Sequence, residues 1–429
     1  MDRQQFLIFW FRQSLNVLVF LALSAGIVRA EPAVVTLGLD SRFSDNIRRA
    51  PSNEESDLES RLSIGIQHIS DPDTCNSGLS ARTAYRYWWD DSFDPETTAD
   101  ADFLGDCRLG PNVVWEVSDY LRDVAQSSRS NDTPDSRTQK NVFRTGPVVT
   151  LRMGAVDELL LSAAYENTEF REPEQKDGER HIGTVGWNHL FSPSFTAGLS
   201  ASIDQSELDT GEEIDRVTYS LPFTKAWAAT VLSGSFGYGQ IETKLINQPT
   251  REYEAFVSNL LLVRQINAST ELELESSREL TDQTADFDSR FDEFVFDLEQ
   301  TSAVEVTALR LGINNDLSNG AELDIDFFAS RSDYLDIGIQ EDNLGVDASF
   351  RRPVTGQLTG LLGARYVWFD YSSDDTQDQI AQVNAGIEFQ LNRQLNFVSS
   401  VGFERRTSDV PSREFDEAWI LAGLVYQFR

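Results

Sequence analysis

The chain has 429 residues, 40% of them hydrophobic, with 70 acidic against 36 basic side chains and a formal net charge of −34. So large an acidic excess speaks against a nucleic-acid partner, whose phosphates need a basic footprint. A mean hydropathy of −0.35 is low for a helical membrane protein, and after residue 30 no stretch approaches the ~18 apolar residues that a spanning helix needs.

At the N-terminus, Arg3 and Arg12 precede an uncharged, largely apolar run over residues 15–27, and Val28 and Ala30 stand at the small-residue spacing of a cleavage site. This predicts a secretory signal peptide over 1–30 and one mature domain over 31–429. No composition break divides the remainder. Two cysteines in a secreted chain, Cys75 and Cys107, allow one disulfide.

Short strands recur from there to the end. Residues 34–43, 57–70, 78–89, 112–123 and 140–153 read as strands, with loops at 44–56 and 125–138. Phe195, Ala197, Leu199, Ala201 and Ile203 then alternate with Thr196, Gly198, Ser200, Ser202 and Asp204. Ala321, Leu323, Ile325, Phe327 and Ala329 oppose Glu322, Asp324, Asp326 and Ser330, with Phe328 out of step. Residues 381–391 repeat the pattern without a fault. A period of two gives each strand one oily and one wet face.

The breaks decide what the oily face meets. Tight ones near 154, 193, 225, 268, 318, 355 and 392 alternate with longer, mostly polar ones such as 172–176, 208–212, 244–250, 281–300, 372–378 and 409–413. A soluble sandwich has no reason to keep that asymmetry, whereas an outer-membrane barrel has short periplasmic turns and long extracellular loops. The expected fold is therefore all-β, a closed antiparallel transmembrane barrel of about 18 to 20 strands. If residues 99–109 form a strand, the total is about 20 and both cysteines lie at the periplasmic end, free to pair. If 99–109 is a turn and 34–43 lies outside the wall, the total is about 18 and the cysteines sit at opposite ends, beyond the ~7 Å reach of a disulfide.

The chain ends in FDEAWILAGLVYQFR, where Phe428, Tyr426, Leu424, Ala422, Ile420 and Ala418 share one face. It resembles the closing strand of a Gram-negative outer-membrane barrel, whose terminal aromatic is read by the barrel assembly machinery. Here the aromatic is penultimate, before Arg429.

Trp115 and Asp119, then Thr133-Pro134 and Arg137 ahead of Asn141-Val142-Phe143-Arg144-Thr145-Gly146-Pro147, resemble the signature of the putative beta-barrel porin 2 family. Asp45-Asn46-Ile47 with residues 57–64 resembles its N-terminal pattern, and the final hairpin its C-terminal one. The resemblance implies an outer-membrane porin tied to exopolysaccharide export, with polysaccharide export components as partners, and carries no catalytic residues over. Taken from the residues alone, Gly146-Pro147 suits a bend or unpaired position in a strand. Trp115 suits the interfacial belt, as do Trp88-Trp89 and Tyr366 with Trp368. The alternative is that Asp119, Arg137 and Arg144 line a constriction.

Chemistry is otherwise sparse. His68, His181 and His189 lack metal-ligand spacing, no cofactor motif appears, and no catalytic set is assigned. The acidic runs 90–102 and 282–297 lack the order of a calcium loop and are expected as solvated loops facing lipopolysaccharide. The polar parity places Asp204, Glu271, Glu273, Glu275, Glu322, Asp324, Asp326 and Glu388 toward the lumen, with Arg365 and Arg152 as counter-charges. Carboxylate rings favour cations, so a neutral or weakly charged glycan, or passive diffusion of solutes, fits such a lumen; pairing that merely stiffens the wall is the alternative. The expected function is a porin-like channel, against a surface barrel without transport and a lipid-modifying barrel enzyme.

Overall fold

The computed structural model describes residues 33–70, 74–172, 175–246, 248–285 and 303–428. The expected signal peptide, and the acidic run beyond residue 285, lie outside them. The strands are β1 (Val34–Ser44), β2 (Asp57–Ile69), β3 (Cys75–Trp88), β4 (Glu96–Gly110), β5 (Val113–Ala125), β6 (Arg137–Arg152) and β7 (Asp157–Phe170). Next come β8 (Gly178–Ser192), β9 (Phe195–Leu208), β10 (Glu213–Ala226), β11 (Thr230–Lys244), β12 (Arg251–Asn267), β13 (Thr270–Thr281) and β14 (Val304–Asp316). The last six are β15 (Glu322–Tyr334), β16 (Ile339–Pro353), β17 (Leu358–Tyr371), β18 (Thr376–Gln390), β19 (Leu395–Ser408) and β20 (Phe415–Phe428).

Each strand pairs antiparallel with its sequence neighbour. The ring closes where β1 meets β20, from Val35 opposite Phe428 to Ser44 opposite Trp419. Closure removes the free edges that an open sheet would expose to lipid. Of the two strand counts left open by the sequence, the larger holds: β4 is a full strand and β1 is part of the wall. Cys75 and Cys107 stand directly opposite each other and are bonded, with Cα atoms 4.0 Å apart.

Alternation sorts the side chains. Leu39, Leu62, Ile64, Tyr85, Leu199, Ile203, Phe256, Leu344, Val383, Val401 and Leu424 point outward and are exposed, while the opposite parity carries ion pairs and buried polar groups. Connections at the end holding Val34 and Phe428 run two to five residues, and those at the other end four to 22. By that asymmetry the first end is periplasmic and the second extracellular. The aromatic pair at 88–89 divides between the faces: Trp89 is 60% exposed outside, whereas Trp88 is 1% exposed and packs inside on Ile47 and Phe93. Phe328, out of step in the sequence, is likewise an inward, buried ring, with the Arg365 guanidinium 5.7 Å above it.

Proline leaves a visible mark on the ladder. Between β6 and β7 the pairing skips Gly146-Pro147, resuming in the same register at Val148 opposite Ser162. Between β9 and β10 it skips Leu221-Pro222 in the same way. A missing N–H costs the wall one rung without shifting its register.

At the extracellular end two hairpins part from one neighbouring strand while staying paired to the other. The ladder of β12 with β13 stops at Ser258 opposite Arg278, so residues 251–257 of β12 have no partner on that side. The ladder of β4 with β5 stops at Ala101 opposite Leu121. Above these points the β13–β14 and β5–β6 hairpins lean into the lumen, and the inner faces of the wall bury them.

Candidate functional site

The lumen is the candidate site, and near its extracellular end side chains of the described residues pack across it. The apolar part of this packing has two centres. Phe170 of β7 meets Val304 and Val306 of β14 and Tyr334 of β15, strands from the far side of the ring. Leu280 of β13 lies among Leu208, Ile214, Ile241 and Ala255 from the inner faces of β9 to β12. Apolar side chains on an inward parity are explained by this contact, since a water-filled lumen would have exposed them.

The polar half of the closure is built on arginines. Arg180 on β8 is 4% exposed and reaches three carboxylates: Glu166 at 3.3 Å, Asp204 at 2.8 Å and Asp282 at 2.6 Å. Asp282 opens the loop after β13, so this bond ties the inward hairpin to the opposite wall. Arg216 also bonds Asp204 and donates to the Leu280 carbonyl at 2.6 Å. Lys140 on β6 donates to the carbonyls of Gln283 and Ala285 at 3.1 and 2.7 Å, and the Thr168 hydroxyl to that of Thr284 at 2.8 Å. Burial alone would raise the Asp282 pKa, but Arg180 and the Thr284 hydroxyl hold its carboxyl down at about 2.

A second anchor holds the loop between β5 and β6. Arg406 on β19 donates to the carbonyls of Ser130 at 2.9 Å, Arg129 at 3.1 Å and Ser128 at 3.2 Å, and pairs with the fully buried Asp378. The Tyr371 hydroxyl donates to the Ser128 carbonyl at 3.0 Å, and Arg129 forms an ion pair with Glu341 at 2.8 Å.

A third anchor joins the loop after β1. Glu417 accepts from Arg42 at 2.6 Å, the Ser44 hydroxyl at 2.7 Å and Arg49 at 3.1 Å, while Arg49 also bonds Glu404 at 2.9 Å. Burial works against the charge on Arg49, yet Glu404 and Glu417 raise its pKa and keep it ionised.

Toward the periplasm the inward face stays open and acidic. Glu271, Glu273 and Glu275 share it with Glu322, Asp324, Asp326 and Glu388. Arg310 bonds Asp326 at 3.1 Å, and Arg351 bonds Glu388 at 2.8 Å. Arg365 lies opposite Asp347, beside a concavity of about 370 Å³ that Glu322 and Asp324 also line. Asp204 stands apart from this group, inside the Arg180 cluster. Arg152, the second expected counter-charge, closes β6 at the periplasmic end of the same parity.

The stretch from Trp115 to Pro147 is not one site. Trp115 faces outward near the periplasmic end, its indole N–H donating to the Thr145 hydroxyl at 2.8 Å. Asp119 shares that parity and accepts from the Asn141 amide at 2.6 Å. Arg137 binds Asp123 at 3.0 Å and Asp132 at 2.7 Å at the head of the leaning hairpin. Of the three residues weighed for a constriction, Arg144 lies 3.8 Å from the inward Glu166, and Arg137 is carried on the hairpin that leans into the lumen. The hubs Arg180, Arg406 and Arg49 were not singled out from the sequence. Their partners lie up to several hundred residues away; the polar parity could have marked Arg180 and Arg406, whereas Arg49 lies in a loop and has no parity.

A closed antiparallel wall, oily outside, polar within, and asymmetric in its loops defines an outer-membrane β-barrel. Residues 339–428, the strands β16 to β20, match the model of the putative beta-barrel porin 2 family. The match falls on the C-terminal hairpins, outside the Trp115 to Pro147 stretch. Among solved structures the chain is similar to the FrpB iron transporter from Neisseria meningitidis, at 9% identity and a TM-score of 0.47, covering 93% of this chain and 83% of that one. It is also similar to a mutant of the ferric enterobactin receptor PfeA from Pseudomonas aeruginosa, at 10% identity and 0.48, covering 92% and 80%. The copper transporter OprC aligns at 10% identity and 0.47, with the same coverages. No curated protein matches the chain.

Proposed function

We propose that this barrel is an outer-membrane conduit for a polar cargo, neutral or cationic, whose extracellular mouth is held shut by its own hairpins. The observation that carries the reading is the acidic inward face below the closure, from Glu271 to Glu275 and across Glu322, Asp324 and Asp326. Carboxylates at close quarters attract cations and repel anions. A neutral glycan chain fits this path better than a polyanion, which would call for an arginine-lined one. The fit to polysaccharide export rests on that chemistry and on the family resemblance.

The test is the reversal potential of the purified barrel in a planar bilayer under a salt gradient. A cation preference that falls when Glu273, Glu275 and Asp324 are changed to amides supports the reading, and an anion preference defeats it. For the glycan, deletion of the chain should trap polymer in the periplasm; unchanged export removes that part and leaves the conduit standing.

A second reading, a surface barrel without transport, is favoured by the packed upper lumen. Absence of conductance in the wild type and in variants with a loosened closure would select it.

A further inference from the structure

The outer face of β8 to β12 carries a furrow, about 700 Å³ in volume, between two ridges of side chains. Phe256, Tyr238 and Tyr219 stand opposite one another in register and form one ridge. Phe236, Leu221 and Leu199 form the other. The floor between them is made by Gly237, Ser220, Ser200 and Gly186, positions whose side chains point inward or are absent. Gly237 has no room to be anything else, because a Cβ there would fall 2.2 Å from the Tyr219 carbonyl oxygen. At its extracellular end the furrow is closed where Phe236 and Phe256 stack, 6.2 Å between centroids. At its other end it opens beside Trp187, two register pairs above Asp157 and His189 and next to them on the outward face.

We propose that this furrow seats one extended acyl chain of a periplasmic-leaflet phospholipid bearing an ammonium head group. The occupant follows from position. The face belongs to the membrane-exposed band, so hydrocarbon already covers it. Four inter-strand spacings give a length of about 19 Å, and at a strand tilt of ~45° a vertical extent of about 14 Å, close to half of a ~30 Å hydrocarbon core. A chain in the furrow gains no hydrophobic energy over bulk lipid, since both are apolar. What it gains is contact on three sides with fixed walls, a dispersion term that grows with every methylene seated.

The open end supplies the head-group chemistry. Asp157 accepts from the Trp187 indole at 3.1 Å and bonds His189 Nδ1 at 2.8 Å, all three on the outward face at the periplasmic edge. A carboxylate held at that level by the Trp187 indole and His189 pairs with an ammonium. A closed upper end and a charged lower one fix the direction, with the methyl terminus buried at Phe256 and the head at Asp157.

The experiment uses the mature chain in vesicles of phosphatidylethanolamine and phosphatidylglycerol, with a trace of either lipid carrying a photoreactive group at the chain terminus. Peptide mapping should find the ethanolamine probe on Tyr219, Phe236 and Tyr238 several-fold above Val383 and Val401 on the far wall. Ala201→Trp, which fills the furrow, should abolish the excess, and Ala385→Trp on the far wall should leave it. Asp157→Asn should lower labelling by the ethanolamine probe several-fold. Equal labelling by the glycerol probe overturns the head-group assignment. Even labelling around the wall, or cross-links from this face to a second copy of the chain, overturns the site. Heat-modifiable migration shows that each variant is folded, and Leu221→Ala, which widens the furrow without filling it, should also reduce the excess.

Discussion

Arg180 and Asp282 lie 102 residues apart in sequence and 2.6 Å apart across the lumen, both almost wholly buried. The bond is the point at which the inward β13–β14 hairpin is fastened to the wall formed by β6 to β9. Its surroundings set what each partner does. Arg180 neutralises Glu166 and Asp204 as well, so it serves the wall whether or not the hairpin is in place. Asp282 belongs to the hairpin and has its charge matched only while docked.

Removing the arginine should therefore cost far more than removing the aspartate. Arg180→Met takes from Asp282 its ion-pair partner, while Glu166 keeps Arg144 at 3.8 Å and Asp204 keeps Arg216; breaking a buried pair in this way costs about 3–5 kcal/mol. Asp282→Asn keeps two carboxylates on Arg180 and should cost about 1 kcal/mol. Unfolding of the barrel in urea, followed by gel mobility, ranks the two; equal losses would contradict the hub role of Arg180.

Gly146→Ala should damage the wall although it adds one methyl. The new Cβ would fall 1.9 Å from the Ala163 carbonyl oxygen, on neighbouring backbone that the unpaired Gly146-Pro147 step brings close. Overpacking of this kind costs about 1–3 kcal/mol. Gly154→Ala, with open space at its Cβ but a φ of +110°, tests backbone strain in a turn instead and serves as the comparison.

Two loop carboxylates give stability opposite slopes with pH. Asp282 is held at about 2, below its ordinary 3.8, so its contribution is present above pH ~4 and is lost as pH falls toward 2. Asp177 is pushed the other way, to about 6, chiefly by burial, despite accepting from the Phe170 N–H at 2.7 Å. The unfolded chain gives up that proton first, so stability falls as pH rises from about 4 to about 6. Asp177→Asn should flatten the second slope and leave the first, as read from urea midpoints across pH.

Reduction of Cys75–Cys107 should loosen the β3–β4 hairpin at its periplasmic end only. The bridge closes a segment with a sequence separation of 32 residues, for which loop-closure entropy gives an upper limit of about 4 kcal/mol. The ladder of β3 with β4 already joins the same strands, so the measured loss should be smaller. In whole cells a Cys75→Ser chain should react at Cys107 with a membrane-impermeant maleimide only after the outer membrane is breached. Labelling of intact cells would invert the barrel.

The wall was legible in the sequence because a period of two exposes the parity of every strand, as in residues 195–204 and 381–391. Turn lengths then gave its orientation. The leaning hairpins were not legible. Leu280 and Val306 look like ordinary strand residues, and which surface they bury is decided by where the β12–β13 ladder stops. Trp88 likewise has the composition of a belt residue, and only register turns it inward. The lumen acids could be assigned by parity, whereas the arginine hubs that fasten the closure depend on contacts between strands distant in sequence.

The closure itself is tested most directly by single-channel recording of the wild type beside Asp282→Ala combined with Lys140→Met, which removes two of the polar anchors of the segment after β13 while leaving Arg180 paired with Glu166 and Asp204. The account predicts a wild type that is closed or conducts in brief, small steps, and a variant with several-fold greater open conductance and the same cation preference. A wild type with the steady, large conductance of an unobstructed pore, or a loosened variant indistinguishable from a closed wild type, would contradict it.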